Sequence, residues 1–423
     1  MQEKLLATHK QHKNIMLLSP TGSGKTLAYL LSSFEKIKDT ESKETEVVII
    51  APTRELVIQI EEVIKKCGTG LKSAKMYGGR KLSTESDILS GNVKFIVATP
   101  GRLADHLRRG NIDAESIHHL VIDEFDKCVE MGFTDELLDI FSYIENIDTR
   151  IITSATSNTS VPRFVGFDNS HLIDFSSSTT PLNDGKISTK IIEIKRDSLS
   201  TLSELLASLD NLPTLVFCNY RESCERVYDF LRREDGIICD YYHGGQEQYI
   251  RERALLKLRI GAVNILVATD LAARGLDINS LGYVIHFEQP LTIESFTHRS
   301  GRTGRMGGEE GENFIIARSI DAVPDYIAES GVGYNIGKRK NIDRTPAMGM
   351  LCIGAGRKQK IGKGDIVGFL TQVCNLPVEK IGSIQIVDSE SYVAIDRDCI
   401  EEVVDRARGS KLKKNKPLFR HIR

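Results

Sequence analysis

Continuous apolar runs alternate with helix-period segments from Ile15 to Phe287, and few folds accommodate that pattern. EVVIIAP (46–52), KFIVATP (94–100), HLVIDE (119–124) and RIITSAT (150–156) are rich in β-branched residues and end in small or polar ones. Between them, RELVIQIEEVIKK (54–66) and DELLDIFSYIEN (135–146) carry apolar residues at helical spacing. A strand without polar alternation is buried on both faces, so the pattern predicts an α/β fold with parallel sheets between helices. Ligands on such sheets collect beyond the carboxyl ends of the strands, where the polar residues of this chain fall.

The alternation is interrupted by DFSSSTTPLNDGKIS (174–188) and then resumes with TLVFC, NILVATD and YVIHF. YGG (77–79) precedes VATP (97–100) much as HGG (243–245) precedes VATD (267–270), which predicts two copies of one architecture. A second interruption holds Pro324, several glycines and GKRKNIDR (337–344). The remainder reads strand, helix, strand, strand, helix, strand, the order of a small ferredoxin-like βαββαβ domain. The expected organisation is a first domain over 1–175, a linker over 176–188, a second domain over 189–325, a linker over 326–346 and a third domain over 347–423.

Charge separates the tail from the body. The 423 residues carry a net charge of −2, yet from Lys338 onward 18 Lys and Arg stand against 10 Asp and Glu, giving +8 and leaving −10 for residues 1–337. A basic tail on an acidic body points to a polyanionic partner, against the alternative of a solvated basic face. No apolar stretch approaches the ~18 residues needed to span a bilayer, and the first residues lack a secretory apolar segment. Cytoplasmic residence without membrane association is therefore expected. The eight cysteines form no CxxC pair and read as reduced thiols.

SPTGSGKT (19–26) follows the apolar run IMLL and opens a helical segment, the setting a phosphate loop demands. It departs from G-x-x-x-x-G-K-[ST] only in carrying Ser19 at the first position. Thr21, Gly22, Ser23, Gly24, Lys25 and Thr26 form the nucleotide set, with backbone N–H groups of Gly22 to Thr26 wrapping the phosphates at a helix N-terminus. Lys25 would neutralise the outer phosphates and the Thr26 hydroxyl would ligate Mg²⁺. A strand running into Asp123 supplies the second metal-holding group, and Glu124 beside it is placed to orient or deprotonate an attacking water. ATP hydrolysis is the implied chemistry. HRSGRTGR (298–305) puts three arginines within seven residues, suited to phosphate oxygens in a domain that has no phosphate loop of its own.

Taken in order, these motifs resemble the DEAD-box family of ATP-dependent RNA helicases over nearly the whole chain. The set comprises SPTGSGKT, PTREL (52–56), Gly78-Gly79, TPGR (99–102), DEFD (123–126), SAT (154–156), Q-x-x-R (248–251), ATDLAARGLD (268–277) and HRSGRTGR. The resemblance implies two RecA-like domains closing on one ATP and one RNA strand. It places Arg302 and Arg305 on the γ-phosphate and Asp277 on the ribose. Asp126, Ser154, Thr156 and His298 would couple hydrolysis to closure. RNA would be held by Pro52, Thr53 and Arg54, by Gly78 and Gly79, and by Thr99, Pro100, Gly101 and Arg102. In the second domain Gly244, Gly245, Gln248, Arg251 and Thr269 would do the same. Such backbone contacts are largely sequence-independent.

Three departures stand out. Phe125 occupies the position where the family name has alanine, Ser19 replaces a glycine, and only Gln2 answers to the family's adenine-reading glutamine. Gln2 lies 19 residues before Thr21, the family spacing, but the aromatic residue normally upstream has no counterpart in the sequence. The tail resembles the RRM-like RNA-binding domain of bacterial DbpA-type helicases, which bind structured large-subunit ribosomal RNA. Tyr392 is the only aromatic in SYVAID, so stacking of several bases on that sheet is not expected. Lys358, Lys360, Lys363, Lys411, Lys413 and Lys414 would grip folded RNA instead. The implied function is RNA-stimulated ATP hydrolysis that remodels ribosomal RNA on the pre-ribosomal large subunit. The alternatives are an RNA-binding scaffold with a weakened motor and a DNA helicase of a related superfamily.

Overall fold

The structure is a computed structural model that describes residues 1–19, 23–37, 44–79, 82–155, 161–162, 165–167, 169–175, 187–233, 235–270, 281–303 and 311–422. The first sheet contains β1 (Asn14–Leu18), β2 (Val47–Ile50), β3 (Ser73–Met76), β4 (Phe95–Ala98), β5 (His119–Ile122), β6 (Thr149–Ser154) and β7 (His171–Asp174). Their spatial order is β3-β4-β2-β5-β6-β1-β7, and every neighbouring pair runs parallel. The helices are α1 (Gln2–Thr8), α2 (Lys25–Ile37), α3 (Arg54–Lys66), α4 (Leu82–Leu89), α5 (Pro100–Arg108), α6 (Phe125–Glu130) and α7 (Thr134–Tyr143).

The predicted burial on both faces is visible residue by residue. Val48, Ile50, Ile96 and Ile122 join a core with Leu103 of α5 and Leu137 of α7. Their strand neighbours Val47, Ile49, Val97 and Val121 join the opposite core, with Leu30 of α2 and Val57 and Ile60 of α3. Alternate residues of one strand thus serve two cores, which is why these strands show no polar period.

The second sheet contains β8 (Ile187–Glu193), β9 (Thr214–Cys218), β10 (Cys239–Tyr242), β11 (Ile265–Thr269), β12 (Tyr283–His286), β13 (Gly311–Ala317) and β14 (Gly331–Gly333). Its order is β10-β11-β9-β12-β13-β8-β14, again parallel throughout. Counting strands from the start of each sheet, both follow the order 3-4-2-5-6-1-7, so the partial sequence echo reflects one topology used twice. Helices α8 (Ser198–Ser208), α9 (Arg221–Arg233) and α10 (Gln248–Arg259) lie between its strands in sequence.

Both expected linkers differ in detail. Residues 176–186 of the first lie outside the described residues, and Ile187 and Ser188 already belong to β8. Within 326–346, Gly331–Gly333 pairs with β8, the Arg344 guanidinium donates to the carbonyls of Ala207 and Leu209 at 2.9 Å, and Lys340 pairs with Asp210 at 2.6 Å. Polar and glycine-rich composition announces surface exposure, which a strapped edge segment shares with a free linker.

The C-terminal sheet is antiparallel: β15 (Met348–Ile353), β16 (Ile381–Ile386), β17 (Ser391–Asp396) and β18 (Phe419–Ile422) in the order β16-β17-β15-β18. Helices Lys363–Gln372 and Ile400–Ala407 contribute Ile366, Phe369 and Val403 to the core beneath Leu351, Ile353 and Val393. The other sheet face places Met350, Cys352 and Tyr392 against Leu256, Ile260 and Ala262 at the end of α10. Arg397 fastens this contact. Its guanidinium donates to the carbonyls of Pro346 (2.6 Å), Met348 (2.6 Å) and Ala262 (2.7 Å). All eight cysteines are unpaired. Among the described residues no helix is long and apolar enough to cross a membrane.

Candidate functional site

The first domain brings its candidate catalytic groups to the carboxyl ends of β1, β5 and β6. Lys25 begins α2, is buried, and donates from Nζ to the Ser19 carbonyl at 2.5 Å. The Ser19 hydroxyl meets that of Ser23 at 2.7 Å, so a serine at the first loop position is put to use inside the loop. Gly24 has φ +92°, a conformation that favours glycine, and a Cβ there would fall 2.6 Å from Gln2 Nε2. Gln2 donates to the Gly24 carbonyl at 3.4 Å, so α1 carries the glutamine onto the phosphate loop. Thr21 and Gly22 lie outside the described residues.

Asp123 follows β5 and is buried. Its Oδ2 accepts from the Tyr29 hydroxyl at 2.9 Å, and its Oδ1 accepts from the Thr153 hydroxyl at 2.5 Å and from the Glu124 amide at 3.1 Å. Glu124 has φ 49° and ψ 53°, left-handed for a residue with a Cβ, a conformation that costs on the order of 1 kcal/mol and is held by surrounding bonds. Its amide also reaches the Thr153 hydroxyl at 3.1 Å. Asp126, one turn on, accepts from the Ala155 amide at 3.4 Å, which ties DEFD to SAT; burial pushes its carboxyl pKa up, against the opposing charges of Lys127 and Lys25. Ser154 is buried at the end of β6, and its carbonyl accepts from the Ser19 amide at 3.1 Å. Thr156 lies outside the described residues. Phe125 is fully buried in the core containing Ile122, Cys128 and Ile152, so its ring packs inward, away from the polar groups around it.

The donor set suits Mg²⁺. Thr26 and Asp123 offer a hydroxyl and a carboxylate, hard oxygen ligands of which such a site needs few when phosphates complete the shell. The donors that hold Asp123 come from neighbouring side chains and amides, leaving the metal-facing chemistry to oxygen alone.

The residues matched to RNA contacts sit on the same side of the first sheet. Pro52 and Thr53 follow β2, and the Thr53 hydroxyl caps α3 by accepting from the Leu56 amide at 3.2 Å. The Arg54 guanidinium lies against Gly78 and Gly79; a Cβ on either would come within 3.1 and 3.2 Å of it, and Gly79 has φ +95°. Thr99, Pro100 and Gly101 open α5. Arg102 is turned inward: its Nε donates to Glu85 at 2.6 Å, and the same carboxylate oxygen meets His106 Nε2 at 2.9 Å. Glu85 and His106 carry no motif signal of their own.

In the second domain Gly244 and Gly245 follow β10, and the Gly245 amide donates to His243 Nδ1 at 3.0 Å. Gln248 and Arg251 share the first turn of α10 and bond each other, while Thr269 ends β11. His298 and Arg302 are buried around the end of helix Ile293–Ser300, and the Arg302 Nε donates to the His298 carbonyl at 3.3 Å. Asp277 and Arg305 lie outside the described residues. Arg299, one of the three arginines expected to suit phosphate oxygens, is instead fully buried: its guanidinium bonds both Asp270 carboxylate oxygens (2.5 and 3.0 Å), Asn219 Oδ1 (2.6 Å) and the Glu288 carbonyl (2.9 Å).

Known proteins place this arrangement. Residues 1–164 match the DEAD/DEAH box helicase family, 197–307 the helicase conserved C-terminal domain, and 350–420 the DbpA RNA binding domain. The ATP-dependent RNA helicase DbpA of Escherichia coli is 31% identical over 95% of this chain and 89% of its own length. The chain belongs to the DEAD-box family of ATP-dependent RNA helicases. The Bacillus subtilis DbpA is 28% identical over 93% of the chain and 88% of its own. Yeast Dbp5, solved bound to RNA and ADP BeF3, shares the fold: TM-score 0.66 at 23% identity, covering 78% of this chain and 89% of that one. In this chain Phe125 fills the first-domain core, and one face of the C-terminal sheet is covered by the end of α10.

The covered face leaves the third domain's lysines as its open basic surface. Lys358, Lys360, Lys363, Lys411, Lys413 and Lys414 are all exposed. Lys413 bonds the Lys360 carbonyl at 2.8 Å and Asp365 at 2.6 Å, which draws the two lysine groups to one side of the domain.

Proposed function

We propose that the protein uses ATP hydrolysis to remodel ribosomal RNA during large-subunit assembly in the cytoplasm. The observation that supports this most directly is the convergence of Lys25, Asp123, Glu124 and Asp126 at one end of a single sheet, in a chain that also carries a lysine-faced RNA-binding domain. Gly22 to Thr26 would hold the phosphates, with Lys25 leaving the Ser19 carbonyl for the outer phosphate oxygens. Thr26 and Asp123 would hold Mg²⁺, which when bound supplies charge neutralisation across the outer phosphates. Glu124 would orient the attacking water and accept its proton. Asp126, through the Ala155 amide, would report the state of this site to SAT. Arg302 and Arg305 would stabilise the charge of phosphoryl transfer when the domains close, and Asp277 would hold the ribose.

RNA would lie along PTREL, Gly78-Gly79 and TPGR in the first domain, and along Gly244-Gly245, Gln248, Arg251 and Thr269 in the second. Closure would bend one strand and open a short duplex, with ATP and RNA each strengthening the other's binding. The third domain's lysines would grip a folded ribosomal RNA segment by its phosphates.

Lys25→Ala should abolish ATP turnover while leaving RNA binding by residues 347–423 intact. Turnover at the parent rate would overturn the site. Equal stimulation by ribosomal and unrelated RNA would overturn the ribosomal target.

A further inference from the structure

One side chain touches both groups assigned above to the metal ion, and no motif marks it. Tyr29 lies three residues after Thr26 and four after Lys25 on α2, spacings that make it a surface neighbour of each. It is fully buried. Its hydroxyl donates to Asp123 Oδ2 at 2.9 Å and is hydrogen-bonded by the Thr26 side chain as well. The other carboxylate oxygen is held from the opposite side by Thr153 at 2.5 Å. Asp123 is therefore clamped between two hydroxyl donors, from α2 and from β6. A phenylalanine would fill the same volume, so packing gives no reason for the oxygen. The oxygen links the Asp123 carboxylate to the Thr26 hydroxyl.

We propose that Tyr29 is a positioning residue for the metal ion, setting the distance and orientation between its two protein oxygen ligands. The inference rests on the reading that Thr26 and Asp123 hold Mg²⁺. Neighbours that orient metal ligands typically affect metal affinity by about 10-fold or more when removed. The effect belongs to the metal-bound state: nucleotide held without metal depends on the phosphate loop and not on the Asp123 orientation.

The test is ADP affinity by calorimetry for the full chain, in EDTA and across a Mg²⁺ titration, together with the melting temperature. Tyr29→Phe should bind ADP in EDTA as the parent does and stay folded, melting a few degrees lower for the buried bond it loses, yet require about 10-fold more Mg²⁺ to reach tight binding. Asp123→Asn should lose the Mg²⁺ enhancement, and adding Tyr29→Phe to it should change nothing further. If Asp123→Asn keeps the parent Mg²⁺ dependence, the metal reading falls and the inference with it. Should Asp123→Asn behave as stated while Tyr29→Phe titrates like the parent, the inference alone falls. Equal weakening of Tyr29→Phe in EDTA and in Mg²⁺ would show a structural role and overturn it. If that variant does not fold, parent protein labelled at the tyrosine ring carbon bearing oxygen decides. One buried resonance should move when Mg²⁺ is added to the ADP complex, and no movement refutes the proposal.

Discussion

Restoring the family's alanine at position 125 is expected to damage this protein. Phe125 is fully buried, in a core with Ile122, Cys128, Leu137, Ile140 and Ile152. Losing an aromatic side chain forfeits about 2–3 kcal/mol of transfer free energy. The cavity left behind raises the usual total for such a change to about 3–5 kcal/mol. Local collapse has little room to reduce this: α6 has six residues, and Glu124 ahead of it is locked at φ 49° by bonds to Asp123 and Thr153. The better helix propensity of alanine returns only about 0.5 kcal/mol. Because the chain has no Trp and 12 Tyr, urea unfolding of Phe125→Ala is best followed by tyrosine fluorescence and far-ultraviolet circular dichroism. The first-domain transition should move to lower urea by an amount equivalent to about 3–5 kcal/mol. ATP turnover should fall as well, since Glu124 and Asp126 flank the lost anchor. A variant within about 1 kcal/mol of the parent, or one with faster RNA-stimulated turnover, would refute the argument that the ring is structural.

Two further outcomes follow from polar groups, one buried and one half-buried. His119 is fully buried on β5, and burial first, then the charges of His9 and Lys36, lower its pKa from 6.5 to about 3. An unfolded histidine takes up a proton near pH 6.5 that the native one refuses, so its contribution is whole above that pH and is lost as pH falls toward 3. Between pH 6.5 and 5 the loss is about 2 kcal/mol, and His119→Leu should flatten that part of the melting profile measured against pH. Arg397→Ala should cost about 1.5–3 kcal/mol at the contact between α10 and the C-terminal sheet, where its charged donor to the Ala262 carbonyl vanishes, the bonds to Pro346 and Met348 being lost within the C-terminal segment itself. Solution scattering should then show a more extended particle; an unchanged profile would mean the apolar face alone holds the domain.

What the sequence disclosed follows physical lines. Strands such as Thr214–Cys218 were legible as continuous apolar runs and the helix Arg54–Lys66 by its 3.6-residue period, each bounded by polar residues. Ser73–Met76 and Gly331–Gly333 were not: an edge strand of three or four residues has too little apolar content to be told from a loop. At the candidate site, the motifs were recognisable because residue types at fixed spacing are visible in sequence alone. Tyr29, Thr153 and Glu85 escaped because they act through other side chains, and only the fold brings Tyr29 to Asp123, 94 positions away. The inward turn of Arg102 toward Glu85 escaped for the same reason.

The duplicated topology raises a sharper question, since only one copy carries a phosphate loop. In the first sheet the strand β1 leads to α2, whose N-terminus is opened by the glycine-containing turn that ends at Gly24, φ +92°. In the second sheet β8 holds the corresponding place and leads to α8. There the helix N-terminus is already taken. Asp197 caps it, with Oδ1 accepting from the Ser200 amide at 2.9 Å and Oδ2 from the Ser200 hydroxyl at 2.7 Å. Those bonds, the backbone one first, lower the Asp197 pKa, so the cap is a carboxylate at neutral pH. A helix N-terminus attracts one anion through its free amides and its dipole. With its own carboxylate seated on those amides, α8 would repel a triphosphate. No glycine stands between β8 and Ser198 to let a backbone loop wrap one. The second copy thus lacks both features that open the first to a phosphate, the uncapped helix amides and the glycine turn.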